Sequence, residues 1–137
     1  MSGVIVDTGP IVALLNSSDT HHAWTRDLLA TIEPPLITCE AVVSEACFLL
    51  RRIRRGPDAV LELIERDVIA VDFSLRAELP AIRKLMDKYS SVPMSLADAS
   101  LVRMSELKTK SKVLTLDSDF KIYRRNKRQQ IPSLSPR

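Results

Sequence analysis

The stretch Gly3-Val4-Ile5-Val6-Asp7-Thr8-Gly9-Pro10-Ile11-Val12-Ala13-Leu14-Leu15 decides the fold. Gly3 to Val6 is a short run rich in β-branched residues and stopped by Asp7. Thr8-Gly9-Pro10 then opens a helical pattern through Ile11, Leu14 and Leu15. That order reads as strand, sharp turn, helix. The alternation continues along the chain. Asp19 is the expected N-cap of a second helix bearing Trp24, Leu28, Leu29 and Ile32, stopped by Pro34-Pro35, and Leu36-Ile37-Thr38 is a second strand. Thr38 is placed to cap a third helix with Glu40 in its first turn and Val42, Ala46, Leu49 and Ile53 as its apolar stripe, ended by Gly56-Pro57.

Further along, the pattern predicts a short helix over 59–64, a strand over 68–71 and a long amphipathic helix over 75–89. A mostly buried helix starts at Pro93 and Ser95 and runs to Leu107, and a fourth strand covers 112–116. Ile131 falls in a fifth, edge strand before Pro132. Strands alternating with helices predict an α/β protein: a three-layer α/β/α sandwich around a central parallel sheet of four to five strands.

The 137 residues predict one domain over 1–137, and 45% hydrophobic with 27% charged residues excludes wholesale disorder and fibrous repeats. The longest apolar runs, such as 11–15 and 46–50, fall far short of the roughly 20 residues that cross a membrane, so no membrane association is expected. The N-terminus reaches Asp7 without a basic region, unlike a secretory signal, and a cytoplasmic location is the expectation. Cys39 and Cys47 are read as lying on one helix, about 12 Å apart along its axis, too far for a disulfide and so expected as buried thiols.

In open α/β sheets ligands bind beyond the carboxyl ends of strands where the strand order switches. Asp7 ends the first strand, and Asp117, with Asp119 two residues on, ends the fourth. Either one alone reads equally as a turn or cap residue. Glu45 lies about 60° from the centre of the third helix's apolar stripe, so its carboxylate is expected to border the core, as a functional acid or as a snorkelling, half-buried one. In Ser95-Leu96-Ala97-Asp98 the acid completes a capping box, yet Leu96, Ala97, Ala99, Leu101 and Val102 surround it with apolar helix, where a carboxylate costs several kcal/mol unless compensated. If Asp7, Glu45, Asp98 and Asp117 converge, each close pair repels by about 4 kcal/mol at 4 Å with an effective dielectric near 20. Such a cluster persists by binding protons or a hard divalent cation, and an all-oxygen set suits Mg²⁺ or Mn²⁺ rather than zinc.

The segments Val6-Asp7-Thr8-Gly9-Pro10, Val42-Val43-Ser44-Glu45-Ala46, Met94-Ser95-Leu96-Ala97-Asp98-Ala99 and Leu114-Thr115-Leu116-Asp117-Ser118-Asp119-Phe120 span nearly the whole chain. In order and context they resemble the PIN domain, and within it the VapC-type toxins of toxin-antitoxin modules. The resemblance implies a metal-dependent endoribonuclease whose catalytic and metal-binding acids are Asp7, Glu45, Asp98 and Asp117, holding one or two Mg²⁺ or Mn²⁺ ions. Thr115 would orient these acids. Asp119 would either share the metal or cap the following turn, and Thr8 would hold a carboxylate or water or serve as a plain helix cap. The family also implies an RNA substrate, a homodimer, and a cognate small antitoxin inserted into the acidic groove, often through an Arg.

Basic residues concentrate in two acid-free runs. Arg51, Arg52, Arg54 and Arg55 form the first, Lys121, Arg124, Arg125, Lys127 and Arg128 the second, together nine of the 20 Lys and Arg residues. The first reads as a helix C-terminus or an RNA contact, the second as a solvated tail or a track for RNA backbone on which Tyr123 stacks a base. His21-His22 reads as surface or capping, because adjacent helical residues point apart, and Trp24 as core or interface. A phosphatase of the haloacid dehalogenase type would need a second acid just after Asp7, where Thr8-Gly9 stand. The remaining alternative is a non-catalytic PIN-like module that binds RNA or protein without cutting.

Overall fold

A computed structural model describes residues 3–136, leaving Met1, Ser2 and Arg137, the ends of the expected 1–137 domain, outside the described residues. The elements alternate as β1 (Val4–Val6), α1 (Thr8–Leu15), α2 (His22–Leu29), β2 (Leu36–Thr38), α3 (Glu40–Leu49), α4 (Gly56–Glu65), β3 (Ile69–Val71), α5 (Leu79–Lys88), α6 (Leu96–Leu107) and β4 (Lys112–Leu114). A 3₁₀ turn, Ser118–Lys121, follows, then β5 (Arg124–Arg125), β6 (Gln129–Gln130) and β7 (Ser133–Leu134).

All pairings in the main sheet are parallel, in the order β3-β2-β1-β4-β7, and β5 and β6 form a separate antiparallel hairpin. The chain therefore winds outward from β1 through β2 to β3, then returns to lay β4 on the other side of β1. Right-handed crossovers put the helices between β1 and β3 on one face and those between β3 and β4 on the other. Among the described residues this is the expected three-layer α/β/α sandwich, with five strands in the main sheet flanked by six helices. The switch point lies between β1 and β4, whose register pairs Ile5 with Val113 and Val6 with Leu114. Ile5, Val113 and Leu114 are fully buried, as are Val42, Ala46 and Leu50 from α3 and Leu101 and Val102 from α6. Seven of the 12 residues of α6 are buried, as its near-continuous apolar sequence requires. Among the described residues no helix is long and apolar enough to cross a membrane.

Several local expectations are corrected. Thr38 does not cap α3: its hydroxyl donates to the Val6 carbonyl at 2.8 Å, tying β2 to β1, and Cys39 takes the N-cap position without a side-chain bond. Gly56-Pro57 begins a helix instead of ending one. Pro57 sits in the first turn of α4, where its missing N–H is harmless, after Arg55 reverses the chain at φ 58°. Only Gly fits at 56, since a Cβ there would collide with the Leu50 carbonyl oxygen. Ile53 consequently lies in the turn, outside the stripe. The long fifth helix starts at Leu79, not 75, with Pro80 in its first turn. Asp19 accepts the His21 N–H at 2.8 Å in a turn ahead of α2 and so lies outside the N-cap position. Both cysteines are free thiols, Cys39 buried and Cys47 only half-buried.

Candidate active site

Asp7 leaves β1 at the switch point. Its N–H donates to the Leu114 carbonyl at 2.9 Å, which continues the ladder with β4, and its side chain caps α1 by accepting the Thr8 N–H at 2.7 Å. The cap is therefore Asp7 and not Thr8. The other carboxylate oxygen accepts the Thr115 hydroxyl at 2.7 Å. The same Thr115 oxygen accepts the Asp117 N–H at 2.9 Å, so one hydroxyl joins the turns after β1 and β4. Gly9 allows the two turns to meet: a Cβ at position 9 would lie 3.2 Å from Cβ of Leu116.

Asp98 occupies the third position of α6. Its N–H donates to the Ser95 hydroxyl at 3.0 Å, and its carboxylate accepts the Ser95 N–H at 3.4 Å, completing the capping box. The carboxylate also accepts the Tyr123 hydroxyl at 2.9 Å. Capping and an orientation toward the acidic cleft, weighed as rivals from sequence, occur together in one side chain. Asp117 accepts the Asp119 N–H at 2.9 Å and caps the 3₁₀ turn, while the Asp119 carbonyl receives the N–H groups of Ile122 and Tyr123.

An open cleft of about 410 Å³ is lined by Asp7, Glu45, Asp98 and Asp117, with Thr8 and Gly9 at its floor. Glu45 corrects the sequence reading in one respect, for it is exposed instead of bordering the core: Val42, Ala46 and Leu50 turn inward, while Glu45 and Leu49 turn together toward the cleft. Asp119 does not line it. Asp7 is buried, and its carboxyl is pushed up to about 6, chiefly by burial, with Asp98 and Asp117 adding repulsion and the Thr115 and Thr8 hydrogen bonds opposing it. Asp98 is raised as well, by burial first, against the stabilising bond from Tyr123. Among the described residues no three His, Cys, Asp or Glu side chains converge closely enough to chelate one ion as they stand. At the same cleft, the buried Thr8 hydroxyl has no hydrogen-bond partner among the described residues. An all-oxygen set with excess negative charge and an unmatched hydroxyl has the chemistry of a hydrated hard-cation site.

The basic runs divide. Tyr123 cannot stack on a base: its ring is fully buried, edge-on to Phe120 at 5.2 Å and to Tyr89 at 5.1 Å. Arg125 is also buried, donating to the Ser105 and Thr109 carbonyls at 2.9 and 3.1 Å, where it closes the C-terminal end of α6. Neither belongs to an RNA surface. Arg124 is half-buried and donates to the Lys121 carbonyl at 2.7 Å, whereas Lys121 is exposed. Arg51 stacks over Phe48 at 3.9 Å and donates to its carbonyl, as a cation at a helix C-terminus does, and Arg52 is exposed beside it. Tyr123, as the partner that fixes Asp98, was missed from sequence. Its only signal is its three-residue spacing from Phe120, which places both aromatics on one side of the turn.

Comparison with known proteins agrees with the fold. The PIN domain profile matches residues 4–126. Ribonuclease VapC26 of Mycobacterium tuberculosis is 25% identical over 118 residues, 83% of this chain and 86% of that protein. The crystal structure of VapC20 from the same organism, described as a sarcin-ricin loop cleaving toxin, superposes with a TM-score of 0.77 at 24% identity over 88% of this chain and 94% of that one. With the profile covering nearly all of the sheet and every acid of the cleft, the chain belongs to the PIN domain family.

Proposed function

We propose that this chain is a metal-dependent endoribonuclease, a single PIN-like domain acting as the toxin of a VapBC-type pair. The observation that carries the reading is the convergence of Asp7, Glu45, Asp98 and Asp117 on one cleft at the switch point, with Asp7 buried where its charge demands compensation. The names of its relatives, a ribonuclease and a toxin that cleaves the sarcin-ricin loop, support the same chemistry.

The four acids would hold one or two Mg²⁺ or Mn²⁺ ions, which when bound lower the pKa of water and neutralise phosphate charge. Asp7 and Asp98 are the rigid half of the set, held by Thr115 and by Tyr123 with Ser95. Glu45 and Asp117 are exposed: Glu45 can swing in by side-chain rotation at an entropic cost of about 1–2 kcal/mol, and Asp117 keeps one carboxylate oxygen on the Asp119 N–H while the other stays free for a ligand. One carboxylate accepts a proton from water attacking the phosphodiester in line, and the 3′ oxygen departs. The products carry 5′-phosphate and 3′-hydroxyl ends. End-labelling of cleaved RNA tests this: a 2′,3′-cyclic phosphate end refutes the mechanism. RNA that is bound yet uncut, with or without Mg²⁺ or Mn²⁺, establishes the non-catalytic alternative instead.

A cytoplasmic homodimer with a small antitoxin partner completes the proposal. Phe48, Leu49 and Leu61 are apolar and more than half exposed on α3 and α4, Leu49 in the wall of the cleft, which supports a protein partner that covers them.

A further inference from the structure

His21 lies in the turn between α1 and α2, far in sequence from every acid of the cleft, yet it lines a second cavity of about 230 Å³ with Ser118, Lys121, Ser133 and Ser135. The cavity and the acidic cleft are neighbours, for Leu116 and Asp117 line both. Asp117 stands between two compartments of different lining. One holds the carboxylates. The other is lined by Lys121, the His21 imidazole and four hydroxyl residues, Thr115, Ser118, Ser133 and Ser135, from three separate parts of the chain, with the Asp117 carboxylate at the border it shares with the cleft.

We infer that this cavity is a phosphate subsite, receiving the phosphodiester of the RNA strand next to the one cleaved. The inference rests on the nuclease reading above, in which Asp117 is one of the four acids around the reacting phosphate. Lysine is a compact point-charge partner for phosphate, and imidazole and hydroxyl N–H and O–H groups are the neutral donors that complete such a site. The volume suits a phosphodiester group and is below that of ordinary ligand pockets, so it positions a strand and does not read a folded partner. Because the contacts are to backbone phosphate, they set register and affinity without base preference.

The test compares wild type with the double variant His21→Ala/Lys121→Ala and with Lys121→Arg. The readouts are steady-state cleavage of RNA and fluorescence anisotropy of a short labelled single-stranded RNA. The double variant is expected to raise KM about tenfold with kcat changed less than about twofold, and to make the log–log salt dependence of binding shallower by about 0.7 for the lost lysine contact. Lys121→Arg restores both, which a folding defect would not allow. A competing single strand displaces the label, whereas inorganic phosphate at the same concentration does not; displacement by phosphate ion would instead mark a free-anion site and overturn the inference. Unchanged KM and salt slope in the double variant, with wild type active, also overturn it while leaving the nuclease reading intact. If wild type binds RNA without cutting it, the nuclease reading fails and the subsite is judged by anisotropy alone: a tenfold weaker double variant upholds it, equal affinity refutes it. If wild type neither binds nor cuts, both fall.

Discussion

Thr115 donates its hydroxyl to Asp7 at 2.7 Å across 108 residues of chain. The bond ties the carboxyl end of β1 to the segment that follows β4, and the same oxygen receives the Asp117 N–H, so the placement of two acids depends on one atom. Thr115→Val keeps the shape and removes both interactions. Cleavage is expected to fall about 10- to 100-fold, as when an orienting partner of a metal ligand is lost. Stability should fall by about 1–3 kcal/mol from the two unsatisfied polar groups. Kinetics together with thermal unfolding check both, and full activity in this variant would show that Asp7 needs no orientation from Thr115.

Asp7 is expected to weaken the cation-free protein at neutral pH. Its folded-state pKa is about 6 against 3.8 for the free side chain, so its contribution favours the folded state below pH 3.8 and is lost as pH rises through 6. The difference corresponds to about 3 kcal/mol. Asp7→Asn removes that charge at the expense of a hydrogen bond, so a net gain of about 1–2 kcal/mol is expected at neutral pH in chelator, shrinking to nothing near pH 4. Mg²⁺ or Mn²⁺ should raise the Tm of wild type at neutral pH but not of Asp7→Asn, and the rise should fade as protons compete below pH 6. A Tm difference between the two proteins that is the same at both pH values would contradict this account.

Tyr123→Phe separates the buried tyrosine from the base-stacking role read from sequence. The ring packing on Phe120 and Tyr89 survives, and only the bond to Asp98 is lost. Since that bond lowers the Asp98 pKa, the acid limb of the pH–rate profile should move to higher pH and kcat should drop about tenfold, with KM unchanged. A raised KM with kcat intact would restore the stacking role.

Arg125→Ala distinguishes structural from substrate-binding arginines. Removing its guanidinium strands the carbonyls of Ser105 and Thr109 at the end of α6, a loss of about 2–3 kcal/mol. The salt dependence of RNA binding should remain that of wild type. A shallower salt slope with unchanged Tm would return Arg125 to the RNA surface.

The order of elements was readable because parallel strands buried on both faces leave compact apolar runs, and Gly3 to Val6 and Leu36 to Thr38 are such runs. Asp7 was readable for the same reason, since it stops β1, whereas Asp117 was read as ending a strand over 112–116 but lies three residues beyond β4, which ends at Leu114, and caps the 3₁₀ turn. Cap assignment was not: Asp7, Thr8 and Thr38 all carry the right oxygen, and only the tertiary partners, Thr115 for Asp7 and the Val6 carbonyl for Thr38, decide which is used. Gly56-Pro57 was ambiguous because the pair both ends and begins helices, and the crowding against Leu50 that settles it is a contact between separate elements. The second basic run hid a hairpin, β5 with β6, because charge patterning treats Arg125 as solvated, whereas the chain spends it on buried carbonyls. His21 gave no sign of its setting, which depends on the return of β7 to the sheet beside β4.

Gly9 lets the turn after β1 lie against the segment that carries Asp117. With 3.2 Å between an added Cβ and the Leu116 side chain, a methyl group there would oblige that leucine to shift by a few tenths of an ångström, without touching any ionisable group. A residue with no side chain thus becomes the place where the closeness of two acidic turns is felt first.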